Sequence, residues 1–493
     1  MEYIIGVDIG TGSVKAVAVD LSGKSFEVDQ QHYPYHAPQP DYHEQDADEI
    51  WLSFQKCLQS LIDKIGHQPK AISLSAAMHS LIAVDDACDA LAPMMTWADN
   101  RSAAVAKKLK SSPTGLAIYE ATGTPIHAMS PLCKLIWLQE NNKENFNKTH
   151  KFISIKEYIW FKLFGEFVID YSIASCTGLF DLLALTWHEP ALTLAGIDSS
   201  RLSLPVPTDY CSTKPVLNMP FLHQDIPFII GASDGCLANL GCMAYQPGQA
   251  VMTIGTSGAV RIASKKPLPN ADAMTFSYIL DQHTYICGGP INNGGITLQW
   301  WLTDKEEDEL ADHDYDDYFI QVLETPAGSN GLLFLPYLTG ERAPIWDSES
   351  CGTFFGVKLA HQKRHFSRAV LEGVCYAMKD VLEAVQLNAE PIHQIYISGG
   401  FVKSEAWVQI LADITGKELV IVQTEDASAI GAAFLAMKTL QMISEYPVAT
   451  SDHLEVIKPD RSLTAFYLKN FTIFKKVYLD LKETMHEFHS LNH

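Results

Sequence analysis

The sequence lacks three features that mark particular classes of protein. No stretch of roughly 18 consecutive apolar residues is present, so no transmembrane helix is expected. The 10 cysteines include no Cys-x-x-Cys pair, which removes the usual zinc half-site and indicates reduced, mostly buried thiols. Lys and Arg form no sustained run, and 36 of them stand against 58 Asp and Glu, a formal net charge of -22. This balance predicts neither nucleic acid nor an anionic membrane as a partner.

The N-terminus also lacks the pattern of a secretion signal. No basic residue precedes the apolar run that begins at Tyr3, and Asp8 interrupts that run. We therefore interpret it as a β-strand and expect a cytoplasmic protein. The chain has 493 residues, 47% of them hydrophobic and 19% charged, which is a globular composition with enough length for two or three domains.

Alternating strand and helix patterns indicate an α/β protein. Residues 3–9 and 14–19 predict two strands joined by Gly10-Thr11-Gly12, a glycine-tipped hairpin. Apolar residues at three- and four-residue spacing predict a helix over 46–65, with Asp46 at its start. Further strands are predicted over 71–74, 227–231 and 395–398, and a further helix over 404–415.

The hairpin has a second copy about half a chain later. Ile9 to Val17 reads Ile-Gly-Thr-Gly-Ser-Val-Lys-Ala-Val, and Ile254 to Ile262 reads Ile-Gly-Thr-Ser-Gly-Ala-Val-Arg-Ile. The repeat predicts two related domains facing one cleft, although chance similarity of two short hairpins is an alternative. Gln246-Pro247-Gly248 is a turn-forming sequence that interrupts the pattern of strands and helices, so we predict one domain over 1–245 and a second over 246–493.

Both hairpin tips carry groups that suit phosphate. Glycines let backbone N–H groups approach a phosphate closely, and Thr11 and Thr256 add hydroxyl donors. Asp8, at the end of the first strand, is a candidate ligand for hydrated Mg²⁺. The Gly-Lys-Ser/Thr ending of a Walker A loop is absent, and an ordinary tight turn also explains each tip. The strand that ends at Ser398 before Gly399-Gly400 suits an adenosine or phosphate group, or is a plain strand–turn–helix.

Together with two longer patterns, these features resemble the FGGY family of carbohydrate kinases, within the actin-like ATPase superfamily. Residues 129–141, Met-Ser-Pro-Leu-Cys-Lys-Leu-Ile-Trp-Leu-Gln-Glu-Asn, are similar to the family's first signature, and 352–357 followed by 365–372 to its second. The resemblance extends from residue 3 to about 440. It implies an α/β fold of two actin-like (ribonuclease H-like) ATPase domains around a central cleft. The N-terminal domain would hold the sugar and the first phosphate hairpin, and the C-terminal domain the nucleotide, with ATP and Mg²⁺ as cofactors.

The resemblance also implies roles for individual residues. Asp234 stands where the family has its catalytic base, a carboxylate that accepts the hydroxyl proton. A strand-end Asp that forms an Asx-turn is the other interpretation. Contacts to the sugar are implied for Met78, His79, Trp97, Asp99 and Arg101, although a buried His or Trp is commonly structural. Contacts to the nucleotide are implied for Thr11, Gly12, Lys15, Thr256, Gly295, Gln299 and Gly400, and metal binding for Asp8. The small residues of 425–433 are predicted to serve packing.

The sugar itself is predicted from two runs, 96–102 and 337–347, which look most like those of family members that act on gluconate. The implied reaction transfers the ATP γ-phosphate to a terminal hydroxyl of D-gluconate, with xylulose or another sugar or polyol as the alternative. Arg101 is the candidate partner of the substrate carboxylate, and an ion pair with Asp99 competes with that role. Two alternatives from other classes are an actin-like ATPase without a sugar substrate and a catalytically silent sugar sensor. The oligomeric state stays open, a homodimer included.

Overall fold

The computed structural model describes residues 2–217, 219–303, 312–422, 426–448 and 455–492. The chain forms two compact units, each assembled from three separate segments. The first unit contains Met1–Tyr245, Ser264–Cys287 and Asp426–Ala449, and the second contains Gln246–Ala263, Gly288–Glu425 and Thr450–His493. The predicted division after residue 245, and the roles given to the two parts, stay predictions.

The strands, numbered in chain order, are short to medium in length. They are β1 (Tyr3–Ile9), β2 (Ser13–Asp20), β3 (Ser25–His32), β4 (Glu44–Gln45), β5 (Ala71–Ala76), β6 (Ile82–Val84), β7 (Met94–Met95), β8 (Lys151–Ile153), β9 (Val168–Asp170), β10 (Phe180–Asp181), β11 (Thr186–Trp187), β12 (Leu204–Val206), β13 (Cys211–Ser212), β14 (Phe228–Ser233), β15 (Gln249–Ile254), β16 (Gly258–Ser264), β17 (Phe276–Asp281), β18 (Thr284–Ile291), β19 (Leu333–Leu335), β20 (Thr353–Phe355), β21 (Gln394–Ser398), β22 (Glu418–Ile421) and β23 (Glu455–Ile457).

The helices range from single turns to long rods. They are α1 (Ala47–Ile65), α2 (Ala103–Lys110), α3 (Pro113–Thr122), α4 (Pro131–Asn141), α5 (Lys143–Lys148), α6 (Ile155–Phe164), α7 (Tyr171–Ser175), α8 (Glu189–Ala195), α9 (Asp234–Gly241), α10 (Gly295–Leu302), α11 (Asp312–Glu324), α12 (Lys363–Gln386), α13 (Glu405–Thr415), α14 (Ala427–Thr439) and α15 (Arg461–Asn492). Within the described ranges, no helix combines the length and the apolar character needed to cross a membrane.

The first unit is built on a six-stranded sheet in the order β13-β14-β5-β1-β2-β3. Strand β1 is antiparallel to β2 and parallel to β5, which in turn is parallel to β14. Helix α1 packs against β2 and β3, and α14 packs against β1 and β5. Because helices cover the sheet in this way, β1 is a continuous apolar run apart from Asp8 at its end.

The second sheet repeats this arrangement around the second hairpin. Its order is β17-β18-β16-β15-β21-β22-β23. Strand β15 is antiparallel to β16 and parallel to β21, just as β1 is antiparallel to β2 and parallel to β5. Both predicted glycine-tipped hairpins are thereby confirmed.

The local predictions for the helices are also confirmed. The side chain of Asp46 accepts hydrogen bonds from the backbone N–H groups of Asp48 and Glu49 and so caps α1. Ser404 caps α13 in the same way, through the N–H of Trp407. None of the 10 cysteines, all of which lie in the described residues, forms a disulfide, and most are buried.

Helices α9 and α14 pack at backbone contact, which is what the small residues of 425–433 predict. Glu425 itself lies outside the described residues. A Cβ atom added to Gly431 of α14 would lie 2.0 Å from the carbonyl oxygen of Leu237 on α9. Only glycine permits this approach. The contact matters for the site because α9 begins with Asp234 and α14 follows directly on Asp426.

Candidate active site

Asp8 lies where β1 ends, between the neighbouring strands β2 and β5. The strand register places Lys15 opposite it on β2 and Ser75 opposite it on β5. The Ser75 hydroxyl donates to Asp8 Oδ1 at 2.6 Å. Burial raises the pKa of Asp8, while the Ser75 hydrogen bond and the charge of Lys15 lower it. Ser75 was not predicted, because a serine in a buried strand carries no distinguishing signal of its own.

Lys15 is paired with a residue from the far end of the chain. Its Nζ lies 2.8 Å from Asp426 Oδ1, and the two side chains are 25% and 17% exposed. The partners are 411 positions apart in sequence. Packing of α14 against β1 brings Asp426 to the hairpin, so no local pattern could have identified this pair.

The tip of the first hairpin contacts the segment that was predicted to bind sugar. The Trp97 indole N–H donates to Thr11 Oγ1 at 2.8 Å, and Gln45 Nε2 donates to the Thr11 carbonyl at 2.6 Å. Thr11, Met78 and Trp97 line one small cavity. Gly12 is exposed at the tip. Predicted nucleotide-side and sugar-side residues are therefore neighbours within the first unit.

His79 occupies a strained and almost fully buried turn. Its φ is 67°, in the left-handed region that non-glycine residues rarely adopt. Its ring Nδ1 lies 2.7 Å from the carbonyl oxygen of Cys176, and its Nε2 lies 3.4 Å from the hydroxyl of Tyr278. Both ring nitrogens face protein groups, which is typical of a structural histidine. A role in sugar binding stays a prediction.

Arg101 forms the ion pair with Asp99 that competes with its predicted role. Arg101 Nε and Nη2 donate to the two oxygens of Asp99 at 2.8 and 2.7 Å, and Nη2 also donates to Glu44. Its guanidinium carbon lies 3.5 Å from the centroid of the Tyr42 ring. Burial lowers the pKa of Arg101, but the hydrogen bonds to Asp99 and Glu44 outweigh this and raise it. Asp99 has no exposed surface and also accepts the backbone N–H of His43 at 2.8 Å. Arg101 meets two carboxylates of the protein itself, and a role of Asp99 or Arg101 in sugar binding stays a prediction.

Asp234 is the first residue of α9 and follows directly on β14. Its Oδ1 accepts the N–H of Gly235 at 2.6 Å, and its carbonyl accepts the Ser428 hydroxyl of α14 at 3.2 Å. The residue is partly exposed. The predicted strand-end position is confirmed. The contact to Gly235 is to the next residue, whereas an Asx-turn accepts the N–H two residues on. It is therefore not the contact of the Asx-turn interpretation, and the role of Asp234 as a base stays a prediction.

In the second unit, the tip of the second hairpin and the start of α10 form one backbone cluster. The carbonyl of Thr256 accepts the N–H groups of Gly294 and Ile296 at 3.2 and 3.1 Å, and the Gly295 N–H donates to the Gly255 carbonyl at 2.6 Å. Gln299 lies one turn further along α10 with an exposed side chain. Thr256, Gly295 and Gln299, predicted from separate motifs, thus lie on adjoining segments.

The loop after β21 joins the same cluster. Gly399 has a φ of 109°, and a Cβ atom on it would lie 2.3 Å from the carbonyl oxygen of Ile254. Gly400, the residue that was predicted to contact the nucleotide, has open space around its Cα instead. Gly399 is therefore the residue that must be glycine for steric reasons, because its backbone crosses the end of β15.

The run 337–347 supports the loop in front of α10. Glu341 is buried and accepts the backbone N–H of Asn292 and, at 3.1 Å, the side-chain amide of Asn293. Arg342 Nε donates to Asn292 Oδ1 at 2.7 Å. Burial raises the pKa of Glu341, and these hydrogen bonds lower it. This run therefore bears directly on the Gly294-Gly295 loop, a contact that the sequence did not predict.

The two mixed sheets repeat one arrangement, a glycine-tipped hairpin whose first strand is parallel to a further strand. This is the fold class of the actin-like ATPases. The chain belongs to the FGGY family of carbohydrate kinases. The model of the family's N-terminal domain matches residues 3–241, and that of its C-terminal domain matches residues 250–440. The enzyme is accordingly an ATP-dependent phosphotransferase with an alcohol group of a carbohydrate as acceptor.

Individual relatives agree with this assignment. The chain is 40% identical over 465 residues to a gluconokinase of Bacillus subtilis (strain 168), covering 91% of this chain and 90% of the relative. The crystal structure of a gluconate kinase from Lactobacillus acidophilus superposes with a TM-score of 0.93 at 33% identity, over 99% of both chains. A ligand-bound xylulose kinase from Lactobacillus acidophilus has a TM-score of 0.93 at 33% identity, over 99% of this chain and 100% of that one.

Proposed function

We propose that this kinase phosphorylates D-gluconate, producing 6-phospho-D-gluconate and ADP. The proposal rests on the 40% identity to a gluconokinase over 91% of the chain and on the two runs predicted from sequence. Xylulose is the second candidate, because a xylulose kinase is as similar in structure as a gluconate kinase is.

The contact between Trp97 and Thr11 is the observation that carries the mechanism. A kinase must place the acceptor hydroxyl within bonding reach of the γ-phosphorus. In the first unit, the indole of the sugar-side segment donates directly to the hydroxyl of the phosphate-side hairpin at 2.8 Å. A sugar on Trp97 would therefore lie beside a phosphate held at Thr11 and Gly12.

Asp234 is proposed as the base. Its carboxylate accepts the proton of the terminal hydroxyl as that oxygen forms its bond to the γ-phosphorus, and the bond between this phosphorus and the β,γ-bridging oxygen breaks. The electron pair of that bond leaves with ADP. The position of Asp234 at the start of α9 is held by the Ser428 hydroxyl on its carbonyl and by the backbone packing of α9 on α14.

Asp8 fits the requirements of a Mg²⁺ ligand. Mg²⁺ in kinases is held by one or two carboxylates together with phosphate oxygens and water, and Asp8 supplies a carboxylate at the foot of the phosphate-side hairpin. Bound Mg²⁺ would neutralise charge on the β- and γ-phosphates. Lys15, opposite Asp8 in the strand register, is proposed to add a cation to the same phosphates. In the second unit we propose Thr256, Gly295, Gln299 and Gly400 as contacts to the nucleotide.

The ADP-release assay tests the substrate. Purified protein with ATP and Mg²⁺ is compared on gluconate, xylulose, glycerol, ribulose and fuculose, and a kcat/KM that is highest for gluconate is expected. A preference for a ketose would overturn the gluconate proposal and leave the kinase assignment standing. ADP release that no sugar increases would favour an ATPase of another kind, and sugar binding without ADP release a silent sensor.

Asp234→Asn tests the base. The amide keeps the size and the contact to Gly235 but does not accept the proton, so kcat should fall by about 10²- to 10⁴-fold. The affinity for ATP, measured by isothermal titration calorimetry, should be unchanged. Near-normal turnover would remove Asp234 from the mechanism.

A further inference from the structure

Two lysines of the first unit have completely enclosed side chains and have no role in the site described above. Lys134 is 0% exposed and Lys156 is 1% exposed. Lysine is almost never buried without a partner, because removing an ammonium group from water is costly. What the two ammonium groups contact is therefore informative.

Lys134, on α4, contacts two segments that were assigned to sugar binding. Its Nζ donates to the carbonyl oxygen of His79 at 2.6 Å and to that of Thr96 at 2.7 Å. The first carbonyl belongs to the residue with the left-handed backbone, φ 67°, and the second precedes Trp97. The Lys134 ammonium group thus links the turn at His79 to the segment that carries Trp97.

Lys156, on α6, contacts the strand that carries the proposed base. Its Nζ donates to the carbonyl of Ala232, two residues before Asp234, at 2.8 Å, and to Asp170 Oδ2 at 2.8 Å. Asp170 in turn caps α7 by accepting the N–H of Ile173 at 2.9 Å. The ion pair therefore ties the end of β14 to the start of α7.

A second contact from α7 reaches the residue next to the base. The backbone N–H of Ser233 donates to Ser172 Oγ at 3.0 Å, and the Ser172 hydroxyl lies 3.0 Å from that of Ser233. Both serines have no exposed surface. The two residues before Asp234 are thus each held by a buried polar group, Ala232 by Lys156 and Ser233 by Ser172.

We propose that Lys134 and Lys156 are positioning residues with separate tasks. Lys134 holds the two sugar-binding segments in register, and Lys156 holds the strand end that presents Asp234. This inference deepens the proposed function and rests on the roles given there to Trp97 and Asp234. If the lysines served only the stability of the unit, their replacement would not separate sugar affinity from turnover.

The test measures KM and kcat for two variants. Lys134→Met removes both carbonyl contacts of the ammonium group, and we expect the KM for gluconate to rise about tenfold or more, with kcat and the KM for ATP within about threefold. For Lys156, the double variant Lys156→Met with Asp170→Leu avoids leaving an unpaired buried carboxylate. We expect its kcat to fall about tenfold or more, with the KM for gluconate within about threefold.

A buried ion pair of the second unit supplies the matched control. Arg368 and Glu372, 6% and 2% exposed, lie 2.8 Å apart on α12. The double variant Arg368→Met with Glu372→Leu removes a buried ion pair, only slightly more exposed than Lys156 and Asp170, for which no contact to sugar or nucleotide is proposed. It should leave both kinetic constants of the folded protein within about threefold, whatever it does to the unfolding temperature.

The proposal is supported if Lys134→Met changes mainly the KM for gluconate and the Lys156 double variant changes mainly kcat. Parallel changes in both constants for both variants, or changes that only follow the loss of folded protein measured by circular dichroism, overturn it. Wild-type protein in the same assay separates the two levels of inference. If the wild type releases no ADP with any sugar, the proposed function fails and the positioning roles fail with it. If the wild type is active but the two variants do not separate KM from kcat, only the positioning proposal fails.

Discussion

Replacing Lys134 by methionine should change how the stability of the protein depends on pH. Burial lowers the pKa of Lys134 from its ordinary value of 10.5 to about 7, against a smaller raising effect of Asp99, while Arg101 lowers it further. In the unfolded chain the same ammonium group is hydrated and titrates near its ordinary value. The folded protein therefore binds this proton more weakly than the unfolded chain does.

The sign of the effect follows from this difference. Between about pH 7 and 10.5 the unfolded state carries more protons at Lys134 than the folded state does, so the free energy of unfolding rises with pH. Below about pH 7, burial of the charged Lys134 side chain lowers the free energy of unfolding by its full amount, and above about pH 10.5 this effect disappears. A difference of about 3.5 in pKa corresponds to about 5 kcal/mol, at about 1.36 kcal/mol for each pKa unit. This figure is an upper bound, because the carbonyls of His79 and Thr96 point at Nζ and favour its charged form.

Urea unfolding at several pH values between about 6.5 and 9.5 measures the effect. The comparison is between wild type and Lys134→Met at each pH, because other titrating groups then cancel. The free energy of the wild type minus that of the variant should rise with pH, by at most about 1.4 kcal/mol per pH unit. Lys143→Met, at an exposed position on α5, is the control and should show no such trend. A wild-type-minus-variant difference that stays constant across this range would refute the reasoning.

Three further predictions concern the rest of the site. Asp426→Asn removes the carboxylate 2.8 Å from Lys15 Nζ and so leaves the lysine charge to the phosphates. At low salt the KM for ATP should fall by up to about fivefold, equivalent to about 1 kcal/mol. An unchanged KM would argue against phosphate binding by Lys15. Arg101→Gln should lower kcat/KM for gluconate more than for an uncharged polyol if Arg101 binds the carboxylate, and steady-state kinetics showing equal losses would restrict Arg101 to holding its loop. Gly431→Ala would place a Cβ atom 2.0 Å from the Leu237 carbonyl, so thermal unfolding should show a loss of about 1–3 kcal/mol despite the better helix propensity of alanine, together with a lower kcat.

Several parts of the fold could be read from local patterns. The strands of the first hairpin, the helix capped by Asp46 and the helix capped by Ser404 end within a residue or two of their predicted bounds. Each depends on neighbours within a few positions: alternating or continuous apolar residues for a strand, three- and four-residue spacing and a capping side chain for a helix. The motifs that identified the family are local in the same sense.

The partners of the site residues could not be read in this way. The sequence left Arg101 with either a substrate carboxylate or Asp99 as its partner, and the structure shows Asp99 together with Glu44, 57 positions away. It gave no indication that Gly399 makes a close approach to Ile254, and the nucleotide contact of Gly400 stays a prediction. Lys134 lies within residues 129–141, which are similar to the family's first signature, but that similarity predicted no contact for its side chain.

What the sequence by itself determined is the identity of several elements and of the family: two glycine-tipped hairpins, the helices capped by Asp46 and Ser404, and the family to which the chain belongs. Only the tertiary structure decided which charges meet, such as Lys15 with Asp426, 411 positions later. The physical reason is that secondary structure follows from interactions between near neighbours. The partner of a charged or buried polar group depends instead on how sheets and helices pack, and this packing brings together residues with no shared local pattern.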